Sequence, residues 1–305
     1  MELSQLEVFL AVAREHRFSR AAEKLYRTQS AVSQTIRKLE DELGEALFDR
    51  SSREGILTDA GKVLYEYAEK LVNLRSEAAE SLVELRELQK GKLVIAANEF
   101  TVLYLLPVLA EFRRLHPMIK IKVERALGSH IPDDVLRYNA EFGVLSYEPQ
   151  ELNLRSVVVY LDELVFVVPP KHPLASAPQV SIRQLGAASF VAHIVSSPYR
   201  EKVLQTFQRH KTPLHMGLEL PTLQAIKQFV AMGNGVAFMP EISVESELAR
   251  GELVRIPVRE LRVQRKLRLI YRKEAGLSHA ARAFLKVAEV VALERAGRYR
   301  FQRET

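Results

Sequence analysis

The chain of 305 residues contains no cysteine and no tryptophan. The absence of cysteine excludes disulfide bonds and thiolate metal sites, and it is compatible with a reducing compartment. The amino terminus lacks a basic stretch followed by an apolar segment, and no uninterrupted apolar run approaches the length of a bilayer span. The sequence therefore predicts a cytoplasmic protein of two or three compact units with no membrane partner.

Signatures of catalysis and of metal binding are also missing. The sequence has no phosphate-cradling loop of the Walker type, and its eight histidines are scattered. Residues 233–235 (Gly-Asn-Gly) follow an apolar helical stretch and do not precede one, so they predict a helix end. We therefore expect no catalytic residue, no metal site and no cofactor.

The net charge of +6 is unevenly distributed along the chain. Residues 14–38 contain seven lysines and arginines against two glutamates, a net charge of +5. Residues 39–90 contain seven basic against thirteen acidic residues, a net charge of −6. A local basic segment is what a docking surface for nucleic acid needs. A second basic region, residues 295–303, is expected to be a solvated tail.

The first sixty residues have the order of a winged helix-turn-helix. We expect a first helix that begins at a capping box formed by residues 4–7, then a short helix over residues 20–25. The third helix is predicted over Gln29–Leu43, capped by Thr28 and ended by Gly44. Residues 46–57 predict a hairpin with two arginines at its tip, which is typical of the wing in this class of DNA-binding domain.

The third helix has one apolar face and one polar face. The apolar sector contains Val32, Ile36, Leu39 and Leu43. The opposite sector begins with small polar and amide side chains and continues with an arginine. Such side chains approach base edges in the major groove, where glutamine and arginine make bidentate contacts. The alternative is an ordinary amphipathic helix with a solvated face, but the neighbouring short helix and the basic wing favour DNA binding.

A long helix is predicted after the wing, from Thr58 to about residue 89, with a length of roughly 45 Å. Its apolar residues lie mostly three and four positions apart, which is typical of a coiled-coil seam. They are Ala60, Leu64, Tyr67, Leu71, Leu74, Ala78, Leu82, Leu85 and Leu88. A lone helix cannot bury this stripe on itself, so we expect a homodimer. The alternative is that the helix packs on its own domain.

Strands and helices alternate from residue 91 onwards, which predicts an α/β domain with mostly parallel strands. We place a DNA-binding domain at residues 1–58, a dimerisation helix at 59–90 and the α/β domain at 91–305. The last domain is long enough for two lobes with a cleft between them. Lobe I is expected over about residues 91–162 and 267–305, and lobe II over about residues 163–266.

Five segments together resemble the N-terminal domain of LysR-type transcriptional regulators. They are FSRAAEKL at residues 18–25, TQSAVSQTIRKLE at 28–40, LG at 43–44, LFDR at 47–50 and LTDAG at 57–61. The resemblance implies an all-α winged helix-turn-helix, a linker helix and a two-lobed α/β effector-binding domain similar to type 2 periplasmic binding proteins. It implies sequence-specific regulation of transcription.

The resemblance also implies an assembly and a mode of action. Homotetramers would bind double-stranded DNA at two adjacent sites, and a small-molecule effector in the inter-lobe cleft would alter tetramer geometry and DNA bending. RNA polymerase is a candidate partner. Carried over by position, the major-groove residues are Gln29, Ser30, Ser33, Gln34 and Arg37, and the wing residues are Arg50 and Arg53.

Candidate effector-binding residues lie at three predicted helix starts, because helix N-termini that face a cleft bind anions. They are Asn98, Phe100, Thr101, His193, Ser196, Ser197 and Thr222. Each is equally well explained as part of a helix cap. Two residues depart from the family pattern: Phe100 either narrows the pocket or stacks on an aromatic effector, and Glu99 is expected to point outward.

Two other functions remain open at this point. In the first, the α/β domain has no ligand and serves only assembly, which a pocket filled by Phe100 would favour. In the second, an α/β enzyme or solute-binding protein is fused to a DNA anchor. The missing catalytic residues and the missing export signal argue against the second.

Overall fold

The computed structural model describes residues 1–49, 55–86, 91–195, 197–273 and 277–303. The amino-terminal domain contains α1 (Leu3–Glu15), α2 (Phe18–Lys24) and α3 (Gln29–Leu43). Thr28 caps α3 by accepting from the N–H of Ala31 at 3.2 Å, and Gly44 ends it in the left-handed conformation with φ of 73°. The predicted bounds and caps of α3 are therefore confirmed.

The first two helices begin earlier than predicted. The N–H of Glu2 donates to Gln5 Oε1 at 2.6 Å, so the turn that starts α1 lies two residues before the predicted one. Helix α2 begins at Phe18, not after Ser19, and His16 has a left-handed φ of 55°. The ring of Phe18 packs edge-on against Phe48 with centroids 5.4 Å apart, which holds it at the helix start.

A hydrogen-bonded ladder joins the two arms of the predicted wing. Phe48 and Leu57 form an antiparallel bridge, and the N–H of Thr58 donates to Leu47 O at 3.0 Å. The buried carboxylate of Glu40 on α3 accepts from the N–H of Leu47 at 2.8 Å and of Phe48 at 3.3 Å. These bonds fix the wing's first arm to the third helix. The wing tip with Arg50 and Arg53 lies outside the described residues.

The long helix α4 (Asp59–Arg86) packs on its own domain along one side only. Ala60 and Leu64 of the predicted seam contact the amino-terminal core, together with Tyr65, Ala68 and Val72. The other described seam residues are exposed: Tyr67, Leu71, Leu74, Ala78 and Leu82. The side chain of Leu85 and the whole of Leu88 lie outside the described part. Packing on its own domain, the second of the two predicted modes, therefore applies to one side of α4, and an apolar stripe is left open on the other.

Ion pairs connect α4 to both neighbouring domains. Glu69 accepts from Arg14 on α1 at 2.9 Å through Oε1, and from Arg137 of the α/β domain at 3.3 Å through Oε2. About two helical turns further along α4, Glu77 forms an ion pair with Arg272 at 2.8 Å. Because Glu69 is largely buried and holds both arginines, it joins the amino-terminal domain to the α/β domain.

The α/β domain contains six further helices, ten strands and a short 3₁₀ helix within the described residues. In chain order they are β1 (Gly91–Ala97), α5 (Val102–Leu115), β2 (Ile119–Arg125), α6 (Ile131–Leu136), β3 (Phe142–Leu145), β4 (Leu154–Val168), the 3₁₀ helix (Ile182–Leu185), β5 (Ser189–His193), α7 (Pro198–Arg209), β6 (His215–Leu220), α8 (Leu223–Ala231), β7 (Ala237–Pro240), α9 (Glu241–Ala249), β8 (Val254–Ile256), β9 (Val263–Arg272), α10 (His279–Arg295) and β10 (Tyr299–Arg303).

The main sheet is mixed, so the prediction of mostly parallel strands is wrong. Its order is β10-β4-β9-β3-β1-β2, with β7 and β8 also pairing with β4. β1 runs parallel to β2 and β3, and β5 runs parallel to β6 in a second small sheet. Every described pairing of β4 and β9 is antiparallel. The reason is that these two long strands carry the chain from one lobe to the other and back.

The alternation of strands and helices expected from residue 91 onwards is interrupted. In the described residues, β4 follows β3 and β9 follows β8 with no helix between them. β10 pairs antiparallel with β4, so the expectation of a solvated basic tail is wrong for residues 299–303. Tyr299 packs against Tyr160 with ring centroids 5.0 Å apart, and Arg298 pairs with Glu241 at 2.6 Å. The carboxyl-terminal segment is therefore held by specific partners in the α/β domain, which its basic composition alone does not predict.

Buried side chains form separate cores on either side of the crossing strands. One core joins β1, β3, α5 and α10 with the first half of β4. Two others join the second half of β4 with α7, α8, β5 and β7. The domain is therefore two-lobed, and β4 and β9 pass through both lobes. Among the described residues, none of the helices is long and apolar enough to cross a membrane.

Candidate DNA-reading face and inter-lobe cleft

Helix α3 separates its side chains into a buried and an open face. Val32, Ile36 and Leu39 are buried in the amino-terminal core. Four of the five residues predicted to read DNA are exposed and the fifth, Ser33, is half-buried: Gln29, Ser30, Ser33, Gln34 and Arg37. The hydroxyl of Ser30 lies 3.0 Å from that of Thr28, at the amino end of this face. The open face can therefore offer amide, hydroxyl and guanidinium groups to a groove.

Tyr26 is an exposed aromatic residue that the sequence analysis did not single out. It lies in the turn between α2 and α3, its side chain is 97% exposed, and its φ is 53°. A left-handed φ is uncommon for a bulky residue. The turn thus holds a tyrosine beside the amino end of the reading face, and the exposed Arg27 follows it.

A cavity of about 450 Å³ lies between the two lobes. Of the predicted effector residues, it is lined by Asn98 and Phe100 from lobe I and by His193 and Ser197 from lobe II. Apolar side chains of lobe II form most of the remaining wall, among them Leu164, Phe190, Val203, Met216 and Phe238. Ser129, Tyr199 and Arg265 add polar groups that the sequence analysis missed. The shape and lining suit a small organic molecule with a polar group.

Two predicted effector residues do not line this cavity. Thr101 is fully buried, and its hydroxyl donates to Val144 O at 3.1 Å, so it faces the core of lobe I. The hydroxyl of Thr222 caps α8 by accepting from the N–H of Ala225 at 3.1 Å. Ser196 lies outside the described residues.

Asn98 fixes a turn, Ser197 caps a helix, and both also line the cavity. Asn98 Oδ1 accepts from the N–H groups of Phe100 at 2.9 Å and Thr101 at 3.0 Å, which fixes the turn after β1. Ser197 Oγ accepts from the N–H of Arg200 at 3.2 Å at the start of α7. For these two positions, a local structural role and exposure to the cavity are therefore compatible.

Arg265 in the cavity wall belongs to a buried ion pair on the crossing strands. Arg265 of β9 is 3% exposed, and its Nη1 lies 2.9 Å from Asp162 Oδ2 on β4. Burial raises the pKa of the Asp162 carboxyl, and the guanidinium opposes that rise. Arg265 also lies over the ring of Tyr199 at 5.0 Å, while its Nε is buried without a hydrogen-bond partner. The arginine therefore retains one donor for a further acceptor.

Glu99 points across the cleft and not outward as expected. Its Oε1 accepts from the N–H of Leu223 in lobe II at 2.7 Å, and its Oε2 lies 3.5 Å from His193 Nε2. The ring of Phe100 packs edge-on against His193 with centroids 4.9 Å apart. Phe100 therefore lies against one wall and leaves the cavity open. A second bridge between the lobes is the hydroxyl of Tyr199, which donates to Ser146 O.

Comparison with known families assigns both parts of the chain. A model described as "Bacterial regulatory helix-turn-helix protein, lysR family" matches residues 3–62, and one described as "LysR substrate binding domain" matches residues 86–291. The chain belongs to the LysR family. The LysR-family regulator thus has a DNA-binding helix-turn-helix followed by an effector-binding domain, and its family acts in the regulation of transcription, not in catalysis.

Curated relatives extend over nearly the whole chain. A "Probable RuBisCO transcriptional regulator" of Synechocystis is 32% identical over 93% of this chain and 84% of its own length. The "RuBisCO operon transcriptional regulator" of Allochromatium vinosum is 30% identical over 93% of this chain and 94% of its own length. These relatives show that the two domains occur in this order in other regulators.

Solved structures share the fold. CbnR, a LysR family transcriptional regulator solved full-length with its target DNA, has a TM-score of 0.71 at 19% identity and covers 95% of this chain and 99% of its own. The regulatory domain of Synechocystis CcmR, solved in complex with 2-PG, has a TM-score of 0.60 at 25% identity and covers 66% of this chain and 97% of its own.

The ion pair of Arg265 and Asp162 predicts a mutational cycle. Arg265→Met leaves a buried carboxylate without its cation and should cost about 3 kcal/mol or more. Adding Asp162→Asn should restore most of the lost free energy of unfolding, because the amide is uncharged and its oxygen still accepts from the N–H of Ile242. The thermal unfolding of the full-length variants measures both effects. Equal midpoints for the single and the double variant would contradict a coupled pair.

Proposed function

We propose that this LysR-family regulator binds a small anionic effector in its inter-lobe cavity and reads DNA with the open face of α3. The observation that carries the effector class is Arg265, a buried guanidinium in the cavity wall whose Nε has no hydrogen-bond partner. An unpaired buried donor on a cation favours an anionic acceptor. With this function the regulator acts in the cytoplasm, the compartment that holds its target DNA.

The proposed DNA contacts divide into base reading and backbone binding. Gln34 and Arg37 lie on the exposed face of α3, and amide and guanidinium groups can make bidentate contacts to base edges. Gln29, Ser30 and Ser33 complete this set at the start of the helix, and Arg50 and Arg53 of the wing are proposed to contact backbone or minor groove. The basic side chains should make binding strongly salt-dependent.

Substitution of the reading face should weaken specific DNA binding. Arg37→Ala or Gln34→Ala should each cost roughly 1–3 kcal/mol on the specific site and less on random DNA, because a base contact is lost. Gel-shift titrations at fixed salt measure both. Lys286→Ala, an exposed cation on α10, is the matched control and should leave both affinities unchanged. No loss for either α3 variant would refute this placement.

The proposed effector residues surround the cavity from both lobes. Asn98 and Phe100 contribute from lobe I, and His193, Ser197 and Arg265 from the opposite wall. The complex of CcmR with 2-PG supports a small acid as the ligand class, and 2-phosphoglycolate is accordingly the first probe. Ligand between two lobes would change their closure, and we propose that this change alters the geometry of the assembly and DNA bending.

An acidic ligand should stabilise the full-length protein in a thermal shift assay. At about 100 times its Kd, a ligand adds about 2.7 kcal/mol to the free energy of unfolding. Ser129→Trp at the cavity should abolish the shift, whereas Gln205→Trp on the exposed side of α7 should preserve it. A flat response to 2-phosphoglycolate and to a panel of organic acids would favour the alternative that the domain serves only assembly.

The open stripe on α4 supports homodimerisation through the linker helix. Val63, Tyr67 and Leu82 are each about three-fifths exposed, at 61%, 59% and 63%, and Leu71 and Leu74 lie between them. A second copy of the same stripe would cover these side chains in a coiled coil. We propose the dimer as the basic unit and a homotetramer as the DNA-bound form, with RNA polymerase as a further candidate partner.

Substitutions that place charges on the α4 stripe should halve the molecular mass of the protein in solution. The double variant Leu71→Glu, Leu74→Glu would bring like charges of two chains together in an apolar seam, which opposes pairing. Size-exclusion chromatography with light scattering gives the mass. Leu152→Glu replaces an equally apolar side chain that is 89% exposed in the α/β domain, and it should leave the mass unchanged. An unchanged mass for the double variant would reject the seam.

A further inference from the structure

An acidic side chain of lobe I lies at a helix start of lobe II. Glu99 follows β1, and its Oε1 accepts from the N–H of Leu223, the first residue of α8, at 2.7 Å. The first N–H groups of a helix have no partner within it, and the helix dipole adds partial positive charge there. Glu99 is therefore bound where an anion from solvent would otherwise bind.

A second donor at this place, on the ring of His193, has no hydrogen-bond acceptor. The side chain of His193 is 9% exposed, and its Nδ1 accepts from the N–H of Val195 at 3.0 Å. In the neutral ring the proton is then on Nε2. His193 Nε2 is buried without a hydrogen-bond partner, and the nearest carboxylate oxygen of Glu99 is 3.5 Å away. This donor would gain a bond from an oxygen that approaches more closely.

We infer that the N–H of Leu223 and the Nε2 of His193 form an anion-binding site of lobe II that the chain fills with its own Glu99. The ligand class is a small oxyanion, a carboxylate or a phosphate group, because both donors are N–H groups whose nitrogens lie within 3.5 Å of one carboxylate. Phe100 lies beside Glu99 and packs on His193, so the two residues of the turn enter lobe II together. Glu99 occupies the site and thereby ties lobe I to lobe II.

The site adjoins the effector cavity, since His193 belongs to the wall of both. The acid group of an effector in the cavity therefore competes with Glu99 for the same donors. Its binding releases the bridge between the lobes, and Glu99 raises the effector concentration that is needed. This competition rests on the proposed effector function, whereas the anion site itself does not.

Inorganic phosphate tests the site without any knowledge of the effector. In isothermal titration of the full-length protein at constant ionic strength, Glu99→Ala should bind phosphate about tenfold more tightly than the wild type, because the donors are vacated. Glu99→Gln should gain little, since its amide oxygen still accepts from the N–H of Leu223. Glu99→Ser provides a second vacated site should the alanine variant fold poorly.

The double variant Glu99→Ala, His193→Phe identifies the donor. Phenylalanine keeps a ring against Phe100 but has no Nε2, so the gain in phosphate affinity should disappear. Phosphate bound near Arg265 is common to all variants and cancels in the comparison. Equal affinity of the wild type and both vacated variants would overturn the inference, as would a gain that survives His193→Phe. A protein without an acidic effector would still show the gain, so failure of the effector proposal is distinguishable.

Discussion

The antiparallel pairing of β4 with β9 is the constraint on which the α/β domain depends. The register extends from Leu154 opposite Arg272 to Leu164 opposite Val263, so one ladder runs through both lobes. The lobes have separate apolar cores but share these two strands. Asp162 and Arg265 are direct partners in this register. The ladder therefore sets the position of the cleft and places Arg265, the cation of a buried ion pair, in its wall.

Charged contacts continue from this ladder to the DNA-binding domain. Arg272, the last residue of β9, pairs with Glu77 on α4, and its Nη1 donates to Val135 O at 2.8 Å. Nearer the amino end of α4, Glu69 holds Arg137 and Arg14 from opposite sides. Breaking such partly buried, charge-assisted bonds is costly. A movement of lobe I must therefore either carry α4 with it or break these pairs.

The elements that could be predicted from the sequence are those with local causes. Thr28 and Gly44 mark the ends of α3 because capping acts within three residues, and the spacing of Val32, Ile36 and Leu39 defines its buried face. β10 escaped prediction because it has only five residues, two of them arginines, and its stability comes from pairing with β4 far away in sequence. The mixed order of the sheet was missed for the same reason.

The sequence by itself determined the caps and the two faces of α3, the order of the domains and the apolar stripe of α4, since periodicity and caps are local properties of the chain. Only the tertiary structure decided which residues meet across the cleft. It brought Glu99 to Leu223 and His193, positions roughly a hundred residues apart, and it placed Arg265 opposite Asp162. No local pattern encodes such pairs, because their geometry depends on how two lobes close around shared strands.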